Sequence, residues 1–233
     1  MLMPFIAPSI KPLRPTRHAD TEFVDTSSNS FVSGSFTPTD SSLLVVMWTA
    51  IGEGNPGQPD YTISDSQGLT WTRRVFAENE DASAWGTTAI IWTAPVTTGA
   101  SMTVTVANPG AAEQTDALMS ILDFVGYDTG TPIGGTYTAS GTSGEAGSRT
   151  DTLSAAATIH DYVLAAACIE PLGSDLDVGT GWTELYRLDN SIGTVDIDSA
   201  HQMITRHQST DVLWDTFVSS FSYSSCGIVI NAG

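Results

Sequence analysis

The chain has 233 residues, 41% hydrophobic and only 15% charged, and carries a formal charge of −18 at pH 7. That balance excludes a disordered acidic tail and a coiled coil, both of which need far more charge, and its sign excludes a phosphate-binding surface for nucleic acid. No run of about eighteen apolar residues is present to span a bilayer, and the size suits one large β domain.

The opening MLMPFIAPSIKPLRPTRH contains Lys11, Arg14 and Arg17 and no acidic residue, so the chain after His18 carries 5 basic and 26 acidic side chains. Its positive charges follow the apolar part, and Pro4, Pro8, Pro12 and Pro15 interrupt any helix, which is not the layout of a secretion signal. The prolines favour an extended segment whose backbone cannot pair continuously in a sheet. Residues 1–29 therefore read as an extended N-terminal arm and residues 30–233 as a single β-sandwich domain. Met1, Leu2, Met3, Phe5, Ile6, Ile10 and Leu13 need a groove on a partner or on the body, and Lys11, Arg14 and Arg17 suit carboxylates. These are the expected partner-binding residues.

After the arm come short β-favouring runs separated by Gly, Asp, Asn, Ser and Pro. FVSGSF (31–36) precedes SLLVVMWTA (42–50), whose nearly continuous apolar character predicts a central strand covered on both faces. YTISD (61–65) and LTWTRRVF (69–76) read as a strand pair, with Trp71 inward on an alternating face. TTAIIWTAPV (87–96) and SMTVTVAN (101–108) read as another pair, and LMSILDFVGYD (118–128) as a further strand. The glycine-rich stretch 130–151 is the most loop-like part of the body, either a surface excursion or a weak boundary between two halves. Beyond it, YVLAAACI mirrors LLVVM in apolar density and reads as a strand despite its alanines. TGWTELYRLD, VDIDSAHQMITRHQS, VLWDTFVSSF and CGIVINAG complete the series. About ten to thirteen antiparallel strands without a long helix predict an all-β, two-sheet antiparallel sandwich, jelly-roll-like.

Within this pattern Asp65-Ser66-Gln67-Gly68 resembles a site, yet no GxSxG elbow or neighbouring base accompanies Ser66. A turn explains the same residues: Asp65 accepts backbone hydrogen bonds, Gly68 supplies positive φ, and apolar alternation resumes at Leu69.

YTISDSQGLTWTRR followed by GTTAIIWTAPVTTGASMTVTV resembles a layout repeated in β-sandwich modules of tailed-bacteriophage virion structural proteins and some bacterial surface proteins. The shared features are an Asp-x-x-Gly turn, a Trp/Tyr strand, an apolar strand ending Trp/Tyr-x-Ala, and a Gly-containing turn before a Thr/Val strand. VLAAACI, GWTELYRL and SSCGIVINAG fit it again, so the resemblance covers roughly residues 30–233. It implies a virion location and a capsid decoration (cement) or tail component, with the major capsid protein, tail proteins and copies of itself as partners. It transfers no catalytic residue, and the chain is expected not to be an enzyme and to use no cofactor.

The remaining candidates carry weaker patterns. His201 and His207, six residues apart, stand on one face of a strand but about 20 Å from each other, too far for one metal. Asp175/Asp177 and Asp196/Asp198 suit calcium chemically but match no EF-hand spacing, and no metal is expected. Cys168 and Cys226 lie in apolar runs as a buried thiol pair or a disulfide. Trp85, in NEDASAWGTT, is the alternative ligand-binding residue, for a carbohydrate or host-recognition module using the loops 52–60 and 170–181.

Overall fold

The computed structural model describes residues 13–26, 28–53, 61–80, 85–108, 115–143, 147–170, 176–192, 195–205, 211–217 and 221–233. Among these there are sixteen strands and no helix. The first eight are β1 (Arg14–Thr26), β2 (Ser30–Val32), β3 (Ser42–Glu53), β4 (Thr62–Asp65), β5 (Thr72–Glu80), β6 (Trp85–Val96), β7 (Val104–Ala107) and β8 (Thr115–Val125). The second eight are β9 (Ile133–Ser143), β10 (Gly147–Thr152), β11 (Tyr162–Glu170), β12 (Asp177–Val178), β13 (Thr183–Ile192), β14 (Val195–Thr205), β15 (Asp211–Phe217) and β16 (Phe221–Ile230).

The two sets repeat one topology. The first set forms a five-stranded sheet ordered β1-β8-β3-β6-β5 and a three-stranded sheet ordered β2-β7-β4, all antiparallel. The second forms β9-β16-β11-β14-β13 and β10-β15-β12, which is the same order with eight added to every strand number. Irregularities repeat as well. Gly68-x-x-Trp71-Thr72 recurs as Gly179-x-x-Trp182-Thr183, and a bulge follows at the same distance in each, between Arg73 and Val75 and between Glu184 and Tyr186.

The five-stranded sheets pack face to face, β1 near β13 and β5 near β9, and each carries a three-stranded sheet on its other face. The result is a sandwich-like stack with three apolar layers. Leu43, Val45 and Met47 of β3 join Leu164, Ala166 and Ile228 in the middle layer, while Leu44, Val46, Trp48 and Ala50 point into the first half's own core. Burial on both faces is why β3 reads as an unbroken apolar run. β11 behaves likewise, with Val163, Ala165, Ala167 and Ile169 in the second half's core.

The two inner cores distribute volume differently. In the first half the fully buried Trp48 comes from the five-stranded sheet and meets Phe31 and Tyr61 at ring-centroid distances of 5.0 and 5.8 Å. In the second half β11 presents Ala165 and Ala167 between Val163 and Ile169, and the largest fully buried ring, Trp214, comes from β15 of the facing sheet. Close packing demands such complementation, and it accounts for an alanine run in a strand.

Four expectations change. The segments 61–65 and 69–76 are not a hairpin: β4 pairs with β7 and β5 with β6, so the Asp65 turn carries the chain from one sheet to the other. The segments 87–96 and 101–108 are likewise split between sheets. The bulge at Arg74 reverses the strand's parity, so half-buried Trp71 packs on the first half's core while Val75 faces the middle layer. The glycine-rich stretch is mostly strand, β9 and β10; at Gly135 a Cβ would stand 2.1 Å from the carbonyl oxygen of Ala155, so glycine there permits close backbone approach.

The boundary of the arm also shifts. Residues 14–26 form an extended strand, β1, which pairs along β8 from Arg14 opposite Val125 to Thr26 opposite Thr115. Pro15 is tolerated because β1 is an edge strand.

Candidate interaction edge

The Asp65 carboxylate organises a turn. Oδ1 accepts hydrogen bonds from the amides of Gln67 (2.7 Å) and Gly68 (2.8 Å), and Oδ2 from the amide of Leu69 (3.0 Å) and Trp71 Nε1 (2.8 Å). Gly68 has φ +77°, and Ser66 Oγ accepts from the amide of Thr103 at 3.1 Å. Both carboxylate oxygens of Asp65 and the Ser66 hydroxyl oxygen are thus occupied in holding the crossover, and no hydrogen bond from Ser66 to a histidine or carboxylate is formed among the described residues.

β1 gathers the charged groups of greater interest. Its register slips between Arg17 and Ala19, leaving His18 as the extra residue of a bulge, and the bulge aims the imidazole inward. His18 Nε2 lies 2.8 Å from Oδ2 of Asp123 on β8, whose side chain is fully buried, and the ring packs on Phe36 at 5.1 Å. The amide of Thr39 donates to the same oxygen at 2.6 Å. Burial alone would push the Asp123 carboxyl up, but hydrogen bonds from His18 and Thr39 outweigh it and hold it below the usual range.

Further along, Ser120 Oγ donates to Asp20 at 2.7 Å, and Arg17 Nε donates to Asp20 at 2.6 Å. The Arg17 guanidinium also lies 5.7 Å from the centre of the Tyr186 ring, and the Tyr186 hydroxyl is hydrogen-bonded to Glu22, which pushes the phenol up. β1 of the first half is thereby clamped to β13 of the second.

Of the expected partner-binding residues, Met1, Leu2, Met3, Phe5, Ile6, Ile10 and Lys11 lie outside the described residues. Leu13 is 5% exposed in the middle layer, so the body itself satisfies its apolar surface. Arg14 is exposed at the start of β1, and Arg17 is engaged as above. Trp85 is the first residue of β6, opposite Glu53, and its side chain is outside the described set. Asp175 and His207 also lie outside it, as do the side chains of His201, Asp196 and Asp198, while Asp177 accepts from Arg187 at 2.7 Å. Among the described residues no group of three His, Cys, Asp or Glu is placed to hold a metal. Cys168 and Cys226 are buried thiols that form no disulfide, and Cys168 Sγ donates to the carbonyl of Ala50 at 3.4 Å.

Two polar constellations escape local reading because their members are distant in sequence. One is His18 with Asp123. The other lies in the second half, where Asp151 accepts from Arg149 (2.9 Å) and Ser225 (3.1 Å) and Ser225 meets the Tyr137 hydroxyl at 2.8 Å. Arg149 stacks on Tyr223 at 4.0 Å. Burial and the neighbouring Asp151 charge push Tyr137 and Cys226 upward, so both stay protonated and inert.

No protein-family model, curated protein or solved structure matches the chain.

Proposed function

We propose that the chain is a virion structural protein of a tailed phage, a capsid decoration subunit attached through its N-terminal segment and built from two jelly-roll units in tandem. A jelly roll places eight strands in two facing sheets through two Greek keys. Here the orders β1-β8-β3-β6 and β2-β7-β4, repeated in the second half, support that reading, with β5 lying beside β6 rather than completing the smaller sheet.

The observation that carries the functional reading is the duplicated, thickly cored body with the cationic N-terminal residues entering it at the edge strand β1. The polar groups of the Asp65 turn and around Asp151 are engaged with one another, and Oδ2 of Asp123 is held by His18 and Thr39, which suits a scaffold. Attachment then falls to the apolar positions before Leu13 and to Lys11 and Arg14, which suit carboxylates of a shell protein.

The test is co-sedimentation of the purified chain with capsids of the phage that encodes it, stripped of decoration. The full chain should pellet with the particles and a chain lacking residues 1–12 should not, while both melt alike. Equal pelleting of the two forms would remove the N-terminal segment from the account, and absence of pelleting for the full chain would remove the decoration role.

A further inference from the structure

Two clefts open among the described residues at the end of the first half where β1 begins and β8 stops. One, of about 500 Å³, is lined by Ser41, Val125, Gly126, Tyr127, Asp128 and Thr129. It exists because Gly126, with φ +87°, turns the chain after β8 towards the second half, where Tyr127 bridges to Ala232. The end of the sheet between β1 and β3 is left open. The other cleft, of about 230 Å³, is lined mainly by Pro38, Leu69, Pro95, Val96, Ala100 and Met102. The turn from Pro38 to Ser41 separates the two: Asp40 accepts from the amide of Gly99 at 2.6 Å, and the amide of Ser41 donates to the carbonyl of Thr97 at 3.2 Å.

One cleft is thus acidic and the other apolar, with Asp40 between them. Hydrogen bonds from Thr131 and Gly130 hold the Asp128 carboxyl below its usual range, so it is charged at neutral pH. Residues 1–12 match this order. They join β1 at Leu13, beside the larger cleft, with Arg14 opposite Val125. Reading back from Leu13, their one charged side chain, Lys11, comes first, and the apolar Ile6, Phe5, Met3 and Leu2 come last. β1 and β6 are three strand spacings apart, about 15 Å, and eleven extended residues span up to about 36 Å, so the segment reaches the smaller cleft with length to spare. Pro4, Pro8 and Pro12 lower the entropy lost on fixing it.

We infer that the two clefts are the seat of the chain's own N-terminal segment, with Lys11 against Asp128 and the residues from Met1 to Ile6 covering the apolar cleft. The occupant belongs to the same molecule because its tether starts at the rim, which gives it a millimolar effective concentration that a separate partner has to outcompete. The inference concerns the free chain and stands without the virion reading.

Disulfide trapping in the full chain tests it. Leu2→Cys is combined either with Ala100→Cys, exposed in the smaller cleft, or with Ile159→Cys. Ile159 is 49% exposed and lies two residues from Asp161, which accepts from the Ala232 amide beside Tyr127, so it is an equally open site near the base of the segment. The native cysteines are buried and do not compete. Under mild oxidation the Ala100→Cys pair should close at least about tenfold faster than the Ile159→Cys pair, at a rate independent of protein concentration. Lys11→Gln should slow that closure about two- to fivefold in low salt and leave it unchanged in high salt. Equal rates for the two pairs overturn the proposal, as does closure indifferent to Lys11→Gln. A disulfide between two copies that outpaces the internal one would assign the seat to a neighbouring molecule's segment and overturn the intramolecular contact.

Discussion

Replacing Asp65 with alanine tests whether the Asp-Ser-Gln-Gly stretch is architecture or chemistry. The substitution leaves four donors without their acceptor: the amides of Gln67, Gly68 and Leu69 and the indole of Trp71. Gln67 and Gly68 are exposed and can turn to water, so each loss costs about 0.5 kcal/mol, the low end for a net hydrogen bond. Leu69 and Trp71 are half-buried against the first half's core and rehydrate less well, at about 1 kcal/mol each. The total, about 3 kcal/mol, corresponds to a fall of roughly 6 to 12 °C for a domain of this size. Asp65→Asn keeps an acceptor on one side only and should lose about half as much. Thermal melts followed by tryptophan fluorescence and far-ultraviolet circular dichroism measure both variants. A loss below about 0.5 kcal/mol for the alanine variant would show that the turn does not depend on the carboxylate, and the structural reading of the stretch would fail.

Deleting residues 1–18 should destabilise the body by at least about 3 kcal/mol, because it strips His18 from the buried Asp123 as well as removing Leu13, and chemical denaturation will register it. Asp123 has a folded pKa below its unfolded value, so its contribution is complete above about pH 4 and fades as pH falls through the folded value; the acid limb of a stability–pH curve should flatten in His18→Ala. Trp214→Ala should cost about 3 to 5 kcal/mol, because Ala165 and Ala167 cannot close the space, and calorimetry of the variant checks it. Ellman's reagent should find no reactive thiol in the native chain and two after unfolding, since both cysteines are buried thiols outside any disulfide.

Much of the strand content is legible in the sequence, for local reasons. β3 and β11 announce themselves because both faces are buried, and β7 because Val104 and Val106 point inward while Thr103 and Thr105 point out. The Asp65 turn is legible because its acceptor and three of its donors lie within four residues. Pairing is not local, and there inference from adjacency fails. Two neighbouring runs look like a hairpin whether the turn between them reverses the chain in one sheet or carries it to the opposite sheet. β4 and β5 take the second course, as do β6 and β7. The β9 region misleads for a different reason: Gly135 is required inside a strand because Ala155 approaches its backbone, not because the chain must turn there. His18 and Asp123, 105 residues apart, have no shared sequence signal at all.

Duplication also explains how the middle of the molecule is buried. Each eight-stranded unit has a five-stranded sheet whose far face cannot be covered by its own three-stranded sheet, so an isolated unit would expose Leu43, Val45 and Met47, or Leu164 and Ile228. Joining two units back to back buries both faces at once, and a pseudo-two-fold arrangement does so with one interface geometry. Duplication supplies each kind of edge twice, and the residues before β11 close the β9 copy, whereas among the described residues the backbone of β1 pairs only with β8.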